Sequence, residues 1–335
     1  MYKPYEIIFA ASKQCNLHCS HCFVPNTPQK LDIQSAQKFL NTALDNGIDR
    51  IGFSGGEPFL YPEFLMKITE TAVEKTMYFD RIMTNASWFN STQELQEVLN
   101  GVYKAGFDGT ICVSYDVFHN QDPEKTALFI ETVFSIWKDR RVIELSAVKS
   151  ILDTENEATV SMIEKLSAEL NASVSYYDEE GNRKRMLPSE LVFSKPLENA
   201  FIYYEDENDS IRINWIHQTG SVPSDPDFWQ SREWFAEDYC EGPGQLLYVN
   251  ADGSIAPCCG FANESEKLTI GSMYTMTLEQ VLSNSKTMGI IDTVFEKGLL
   301  KEAKRMEEEN HVFPGCGKTD NNCQFCSYYL SLKKT

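Results

Sequence analysis

The feature that most constrains the fold is an alternation of strand-like and helix-like segments over residues 1–177. Six runs rich in β-branched or aromatic residues have strand length, at 6–10, 50–54, 79–84, 110–115, 142–148 and 172–177. Helical patterns lie between them, at 33–46, after a capping box of Ser91 and Glu94, and at 123–139. Such a series of βα units predicts a parallel sheet with its helices outside. A complete barrel has eight units, so six units predict an α/β fold built on a partial parallel (β/α)6 barrel.

The remainder of the chain divides into two further parts. Residues 178–237 are irregular and carry charged runs such as EDEND at 205–209, which predicts a connecting region or insertion. Residues 238–335 contain six of the ten cysteines. We therefore expect a barrel domain at 1–177, a connecting region at 178–237 and a small Cys-rich α+β domain at 238–335. Functional residues are expected in the loops that follow the strands, where parallel barrels place their active sites.

Composition excludes several classes of protein. The formal charge of −19 argues against a nucleic-acid-binding protein and against docking on anionic membranes, since both need a basic surface. No apolar run reaches the roughly 18 residues of a spanning helix, and the first residues show no signal-peptide pattern. We therefore expect a cytoplasmic protein, in which ten cysteines indicate metal or redox ligands rather than disulfide bonds.

The first cysteine cluster follows the first strand. Cys15, Cys19 and Cys22 have the spacing C-x3-C-x2-C, and three thiolates in one loop suit a single soft-metal site. A structural zinc ion or a fully protein-ligated iron–sulfur cluster takes four ligands, whereas three leave one iron of a four-iron cluster open. The alternative is a zinc loop that takes its fourth ligand from His18 or His21.

This motif, followed by Phe23 and placed after the first strand of a βα series, resembles the radical S-adenosylmethionine (SAM) superfamily. The resemblance implies a [4Fe–4S] cluster whose open iron binds the methionine end of SAM. It also implies cleavage of SAM to a 5′-deoxyadenosyl radical that abstracts a hydrogen from the substrate. A reducing electron donor such as flavodoxin or ferredoxin is then a required partner.

Supporting motifs follow the next strands. After the second strand, the two glycines of Gly55-Gly56-Glu57-Pro58 allow the backbone to approach a ligand closely, and the glutamate can accept a hydrogen bond from an ammonium group. These four residues are expected to cradle the methionine end of SAM. After the third strand, Asn85 completes the polar pair that is usual in the resembling family.

The end of the fourth strand carries a further candidate pair. Ser114 and Asp116 share one face of the strand and are expected to reach the nucleoside hydroxyls of SAM. The alternative is a polar strand end without a ligand. Cys112 lies on the same face and is expected to be a small buried residue rather than a ligand.

A second cysteine cluster lies in the C-terminal part. Residues 246–256 predict a β-hairpin with its turn at Asp252-Gly253, which brings the flanking cysteines together. This region resembles the SPASM and twitch extensions of radical SAM enzymes, and the resemblance implies an auxiliary [4Fe–4S] cluster. The later spacing departs from the full SPASM pattern, so we expect one auxiliary cluster. The first-choice ligands are Cys240, Cys258, Cys323 and Cys326, with Cys316 as an alternate ligand; a zinc ribbon is the other interpretation.

Cys259 lies beside Cys258 and is not needed as a ligand of the auxiliary cluster. Adjacent residues project in different directions, so Cys259 is expected to face the active-site cavity, where a thiol is a good hydrogen-atom donor. The sequence therefore suggests L-to-D epimerisation, in which a Cα hydrogen is removed from one face and Cys259 returns one from the other. This is similar to the radical SAM peptide epimerases. The alternative for Cys259 is a buried bystander or an alternate cluster ligand.

Three functions remain open from the sequence. The first is epimerisation of a residue in a ribosomal peptide or a protein. The second is oxidative, by dehydrogenation or by a thioether or carbon–carbon cross-link. The third is a zinc-stabilised binding protein without enzymatic activity. Because the first strand begins near residue 5, we expect no leader-binding module before the barrel and expect peptide recognition at the barrel mouth, by 178–237 or by a separate protein.

Overall fold

The computed structural model describes residues 2–177, 183–184, 199–204, 210–218, 222–236 and 245–332. These residues form a single sheet of 12 strands. The strands are β1 (Glu6–Ala10), β2 (Arg50–Ser54), β3 (Tyr78–Thr84), β4 (Thr110–Ser114), β5 (Ile143–Lys149), β6 (Ser173–Tyr177), β7 (Arg183–Lys184), β8 (Asn199–Tyr203), β9 (Ser210–His217), β10 (Leu246–Val249), β11 (Ser254–Ala256) and β12 (Gly271–Ser272).

Helices connect the strands and complete the C-terminal part. They are α1 (Ile33–Leu40), α2 (Pro62–Glu74), α3 (Thr92–Lys104), α4 (Pro123–Trp137), α5 (Asp153–Glu169), α6 (Leu278–Ser285), the single turn α7 (Gly289–Ile291), α8 (Leu299–Glu308) and α9 (Asn322–Leu332). The predicted capping residue of α3 is in place, since the Ser91 side chain accepts a hydrogen bond from the Glu94 amide. The first helix is shorter than predicted, because a separate turn at Leu44–Asn46 follows it.

The sheet confirms the predicted fold class. Its order is β12-β11-β10-β1-β2-β3-β4-β5-β9-β8-β6-β7, and the six neighbours β1, β2, β3, β4, β5 and β9 run parallel. The helices α1 to α5 connect or follow the first five of these strands, as the βα alternation requires. The result is an open parallel barrel of six strands.

The sixth parallel strand is not the one that the sequence predicted. Residues 173–177 do form a strand, but this strand pairs antiparallel with β8. The place beside β5 is taken by β9, in which Ile211 and Ile213 are fully buried and alternate with exposed Arg212. A run of β-branched and aromatic residues identifies a strand but does not specify its neighbour. The domain boundaries at 177 and 237 stay a prediction, although β9 lies inside the expected connecting region.

The two faces of the parallel strands have different chemistry. On β1, Ile7 and Phe9 are fully buried, and the Phe9 ring lies 5.9 Å from the ring of Phe64 on α2. Because side chains alternate along a strand, Glu6 and Ile8 face the opposite way. We call this opposite face the barrel interior. It is polar, and it carries Glu6, Gly52, Arg81, Cys112, Glu144 and Asn214.

The predicted hairpin extends the barrel sheet. Strands β10 and β11 pair antiparallel, and β10 pairs parallel with β1. The turn is at Asp252-Gly253, where Gly253 has a φ of +82° that favours glycine. The C-terminal part is therefore continuous with the barrel at the edge where the first cysteine loop begins. No helix in the described part of the chain is long and apolar enough to cross a membrane.

Candidate active site

The first three cysteines lie in the loop between β1 and α1. An antiparallel bridge between Ser12 and Lys30 closes this loop at its base. Asn26 holds Cys15 at two points, since its amide nitrogen donates to the Cys15 carbonyl at 2.8 Å and its side-chain oxygen accepts from the Cys15 amide at 3.1 Å. The loop is thus fixed by its own backbone at the carboxyl end of β1, where the sequence placed it.

The three thiols lie close enough to influence one another electrostatically. Burial, with repulsion from Cys22 and Cys15 adding to it, raises the pKa of Cys19 to about 12. Burial also raises the pKa of Cys15, while hydrogen bonds from the Leu17 amide at 3.4 Å and from Asn85 lower it. The iron ions of a bound cluster would offset this repulsion, because their positive charge stabilises the thiolate forms of the three cysteines. The donor set therefore fits the three-cysteine ligation of a [4Fe–4S] cluster.

The motif Gly55-Gly56-Glu57-Pro58 packs directly on the cysteine loop. The Gly56 amide donates to the Ser12 carbonyl at 2.7 Å, and the Glu57 amide donates to the Gln14 carbonyl at 2.8 Å. A Cβ atom on Gly55 would stand 2.5 Å from the Ser12 carbonyl oxygen, and one on Gly56 would stand closer still to that of Gln14. The two glycines are therefore required because the cysteine loop packs closely against them. The sequence predicted instead that a ligand would approach at this place.

Glu57 also differs from its expected role. Its side chain is fully buried, and its carboxylate accepts hydrogen bonds from the Phe59 amide at 3.1 Å, the Thr84 hydroxyl at 2.9 Å and the Asn85 amide at 2.8 Å. Burial raises its pKa to about 7, while these hydrogen bonds lower it. Both oxygens accept hydrogen bonds from the protein, which the sequence did not predict, and a contact with the ammonium group of SAM stays a prediction. Glu57 ties the end of β2 to the end of β3, and Pro58 begins the short turn Pro58–Leu60 beside it.

Asn85 contacts the first cysteine site. Its side-chain nitrogen Nδ2 donates to the Cys15 sulfur at 3.6 Å and to the Asn16 side-chain oxygen at 2.9 Å. A hydrogen bond to a thiolate stabilises the charged form that a cluster requires. Asn85 therefore supports a cluster ligand, and its contact with SAM stays a prediction.

Asp116 is a buried loop anchor rather than an exposed ligand group. It is fully buried and accepts hydrogen bonds from the amides of Phe118, His119 and Val148, each at 3.0 Å. The His119 ring nitrogen Nδ1 lies 2.7 Å from the same carboxylate. The expectation that Asp116 reaches the nucleoside hydroxyls is therefore not supported. Ser114 uses its carbonyl to accept from the Gln121 amide, and Cys112 is buried on the interior face as predicted.

An aromatic cluster that the sequence did not predict lies beside the cysteine loop. The His21 ring lies 5.1 Å from the Phe118 ring and 4.9 Å from the His119 ring, measured between centroids. Burial, then the neighbouring His119, lowers the His21 pKa to about 4, so the ring is neutral at pH 7. Phe23, the predicted aromatic residue, is instead 37% exposed. The sequence feature that could indicate this cluster is His21, the histidine immediately before Cys22, for which the sequence suggested only the role of a zinc ligand.

The second cysteine site brings together three of the predicted ligands. Cys258 and Cys326 are buried. Burial raises the pKa of Cys258 well above its usual value, and repulsion from the neighbouring thiols of Cys259, Cys323 and Cys326 adds to this rise. Gly260 lies beside the thiols of Cys323 and Cys258. A Cβ atom at this position would lie 3.4 Å from the Cys323 sulfur and 3.6 Å from the Cys258 sulfur. These three thiols fit the ligation of an iron–sulfur cluster.

The fourth auxiliary ligand stays a prediction. Cys240 lies outside the described residues, and of Cys316 only the backbone is described, in the turn Pro314–Cys316. Among the residues that the structure describes, no three His, Cys, Asp or Glu side chains are grouped tightly enough to hold a single metal ion.

In the second cysteine site, Cys259 is an exposed residue, whereas Cys258 and Cys326 are buried. The residue is exposed to solvent, yet burial raises the pKa of its thiol to about 11. The exposure is that of the residue as a whole, whereas the raised pKa reflects the protein atoms around the thiol. The next contributions to its pKa come from Cys323, from Glu6, which raises it, and from Arg81, which lowers it. Glu6 and Arg81 belong to the barrel interior, so the Cys259 thiol lies within the electrostatic range of charged groups on that face.

Two contacts fix the second cysteine site to the first. Lys13, two residues before Cys15, places its ammonium nitrogen 2.8 Å from the carboxylate of Glu264 in the turn that follows Cys259. The Tyr248 hydroxyl forms a hydrogen bond with the Ser54 side chain at the end of β2 and lies near Cys258 and Cys259. These two contacts therefore join the second cysteine site directly to the first.

Comparison with known families agrees with this arrangement. The model of the radical SAM superfamily matches residues 11–120, and the SPASM model, an iron–sulfur cluster-binding domain, matches residues 240–312. Among curated proteins, the chain is 21% identical over 334 residues to YydG of Bacillus subtilis (strain 168), whose name assigns it to peptide biosynthesis. That match covers 94% of this chain and 92% of YydG.

Two solved structures share the fold. SuiB of Streptococcus suis bound to the precursor peptide SuiA matches with a TM-score of 0.50 and 16% identity. The match covers 84% of this chain but only 65% of SuiB. The structure of anSMEcpe with bound AdoMet and the Cp18Cys peptide matches with a TM-score of 0.51 and 16% identity, covering 97% of this chain and 94% of that one. At these identities the likeness establishes the fold.

Proposed function

Since the chain belongs to the radical SAM superfamily and carries a SPASM domain, we propose that it modifies a peptide and that its reaction is L-to-D epimerisation. Cys15, Cys19 and Cys22 hold the SAM-binding [4Fe–4S] cluster. Cys258, Cys323 and Cys326 hold the auxiliary cluster together with a fourth ligand, for which Cys240 is our first choice. The bound cluster and SAM supply a 5′-deoxyadenosyl radical that removes the Cα hydrogen of one substrate residue.

The observation that carries epimerisation is the position of Cys259. Cys259 is an exposed residue, and Glu6 and Arg81, two of the charged groups that act on its thiol, belong to the barrel interior. It also adjoins Cys258, so it enters the interior from the side of the auxiliary site. A thiol in that place can give its hydrogen to the face of the substrate carbon opposite the SAM site. The carbon then regains a hydrogen with inverted configuration.

The peptide character of the substrate is supported by the relatives. YydG is named for peptide biosynthesis, and the SuiB and anSMEcpe structures hold a precursor peptide and the Cp18Cys peptide, respectively. A reducing electron donor is required by the same chemistry, and flavodoxin or ferredoxin is our expectation for it. A cytoplasmic location also stays an expectation.

Product mass distinguishes epimerisation from the oxidative alternative. The reconstituted enzyme would be incubated anaerobically in D2O with SAM, dithionite and a library of short synthetic peptides. Epimerisation adds one deuterium at Cα and leaves no other change, because an exchangeable thiol carries solvent hydrogen. Chiral analysis of the hydrolysed peptide would then show a D-residue. A product two mass units lighter, without deuterium, would overturn epimerisation and support dehydrogenation or a thioether or carbon–carbon cross-link.

A further inference from the structure

A cavity of about 910 Å³ lies between two segments that the reaction described above does not use. Residues 226–234, at the end of the expected connecting region, form one side, and residues 307–318 form the other. This volume is within the range of sites that bind small ligands. Of the cysteines whose side chains the structure describes, none lines the cavity, so it is not part of the active site described above.

The two sides of the cavity are fixed to each other through the backbone. Ser231 and Lys318 form an antiparallel bridge with N···O distances of 3.0 and 3.1 Å. A Cβ atom on Gly317 would collide with the Trp229 carbonyl oxygen, so the close approach requires a glycine at this position. The shape of the cavity is therefore set by the fold.

Aromatic rings and one exposed apolar side chain line the cavity. The Phe313 ring stacks on the Trp229 ring with centroids 5.7 Å apart, and the Trp234 ring contacts Phe313 edge-on at 4.9 Å. Trp234 is only half-buried, and Val312 is 76% exposed, more than any other large hydrophobic residue in the described part of the chain. A ligand that covers Val312 and Trp234 would remove apolar surface from water, which is favourable.

The aromatic rings also connect the cavity with the auxiliary site. The Trp234 ring lies 5.6 Å from the Phe325 ring on α9, measured between centroids. Phe325 lies in sequence between Cys323 and Cys326, which are two proposed ligands of the auxiliary cluster. A ligand in the cavity would therefore be held close to the auxiliary site without contacting these thiols.

The charged groups of the lining leave one cation without a partner. Glu307 accepts a hydrogen bond from the Trp234 indole at 2.9 Å and pairs with Lys318 at 2.9 Å, and both contacts hold its pKa below the usual value. Arg232 lines the same cavity and forms no hydrogen bond or ion pair with the described residues. The lining thus has two positive groups and one negative group, although the chain as a whole has a charge of −19.

This lining suits a ligand that carries a carboxylate beside an apolar group. A guanidinium binds a carboxylate through two parallel hydrogen bonds, so a ligand carboxylate would supply the missing partner of Arg232. An inorganic anion would also pair with Arg232 but would leave Val312 and Trp234 in water. A peptide segment carries both kinds of group on neighbouring side chains. In a chain so acidic, the local cations determine where such a segment binds.

Resting on the proposed function, we propose that this cavity docks a flanking segment of the peptide substrate, in which an Asp or Glu side chain stands beside a large apolar side chain. The carboxylate pairs with Arg232, and the apolar side chain lies against Val312 and Trp234. Docking holds the peptide on the enzyme while another of its residues is modified. Because this contact is the same before and during the reaction, it lowers KM and leaves kcat unchanged.

Binding is measured on the reconstituted enzyme with SAM but without a reductant, so that no turnover occurs. The probe is a display library of random octapeptides. We expect the selected sequences to place Asp or Glu within two positions of Leu, Ile, Phe or Trp. Selected sequences without this pairing would overturn the proposal, and so would a library that yields no binder.

Two substitutions of exposed residues locate the binding site and should not disturb folding. We expect Arg232→Gln to weaken binding of the selected octapeptides by about 10-fold or more, because it removes a charge-assisted hydrogen-bonded pair. Val312→Ser should weaken it by about fivefold through lost apolar contact. Arg141→Gln is the matched control, since Arg141 is 82% exposed and lies outside the cavity. Wild-type affinity in Arg232→Gln would overturn the proposal.

A second copy of the chain is the competing occupant of this surface. Sedimentation velocity should show a monomer for both the wild-type protein and Val312→Ser. A wild-type dimer that Val312→Ser dissociates would assign the surface to self-association and overturn the peptide assignment.

Steady-state kinetics separate this proposal from the proposed function. A peptide that the wild-type enzyme epimerises is extended at either end by a selected octapeptide. We expect Arg232→Gln to raise KM for the extended peptide by about 10-fold or more, with kcat within about twofold of the wild-type value. If the wild-type enzyme produces no D-residue from any peptide, the proposed function fails, and the binding measurements still decide the role of the cavity. If it does, and Arg232→Gln keeps the wild-type KM, the docking assignment is wrong and the proposed function stands.

Discussion

The ammonium nitrogen of Lys13 lies 2.8 Å from the carboxylate of Glu264, and this ion pair joins the first cysteine loop to the segment that carries Cys258 and Cys259. The Lys13 side chain is almost fully buried and that of Glu264 is 30% exposed. A charge that loses its partner in such a place is no longer compensated.

We expect Lys13→Met to destabilise the protein by about 1–3 kcal/mol, less than the loss of a fully buried pair because solvent screens Glu264. Lys67→Met is the matched control, since Lys67 pairs with Glu70 at the same distance of 2.8 Å on the surface. That change should have no measurable effect on stability, because exposed ion pairs contribute little. Denaturant unfolding of both variants checks the prediction, and equal effects would show that the Lys13 pair has no special role.

The close approach at Gly56 predicts a loss of iron at the first site. A Cβ atom there would collide with the Gln14 carbonyl and displace the loop that carries Cys15. After anaerobic reconstitution, we expect Gly56→Ala to bind about four fewer irons per chain than the wild-type protein. Gly289→Ala is the control, because nothing lies within 4 Å of its added Cβ atom. Full iron content in Gly56→Ala would contradict the packing of this motif on the loop.

The burial of Glu57 predicts a pH dependence of stability. Its pKa is raised from 4.5 to about 7 in the folded protein, so folding favours the protonated form. The stabilisation is complete below about pH 4.5 and is lost as the pH rises through about 7, by up to about 3 kcal/mol. Glu57→Gln should remove this part of the pH dependence. Urea unfolding of both proteins at about pH 5 and pH 8 measures it, and identical pH slopes would show that Glu57 does not titrate in this range.

Gly260 provides a corresponding test of the second cysteine site. A Cβ atom would lie 3.4 Å from the Cys323 sulfur and 3.6 Å from the Cys258 sulfur, in the space between two proposed ligands. We expect Gly260→Ala to lower the iron content of the second site while the first site, assayed by reductive cleavage of SAM, is retained. Loss of SAM cleavage with full iron at the second site would contradict this separation.

The sequence was informative wherever chemistry depends on residue type and local spacing. Cys15, Cys19 and Cys22 predicted the first site, and the turn at Asp252-Gly253 predicted the hairpin before Cys258. Five of the six predicted strands are parallel strands of the barrel, whereas the sixth parallel strand is β9 and not the predicted segment 172–177. These properties follow from patterns within a few neighbouring residues, which is why sequence alone reaches them.

The sequence was least informative where a side chain has a choice of partners. Glu57 and Asp116 both follow strands of the barrel, as ligand-binding carboxylates do, but both turn inward and accept backbone hydrogen bonds. The place of β9 beside β5 depends on pairing between distant segments. Local patterns contain no information about such pairing.

The measurement that tests the account most directly is deuterium uptake by a Cys259→Ala variant. Incubated in D2O with SAM, dithionite and a peptide that the wild-type enzyme epimerises, the variant should still cleave SAM but place no solvent deuterium at Cα. Cys112→Ala, which removes another buried interior thiol, should behave as the wild type does. A D-residue carrying solvent deuterium in the Cys259→Ala product would contradict the role of Cys259 as hydrogen donor.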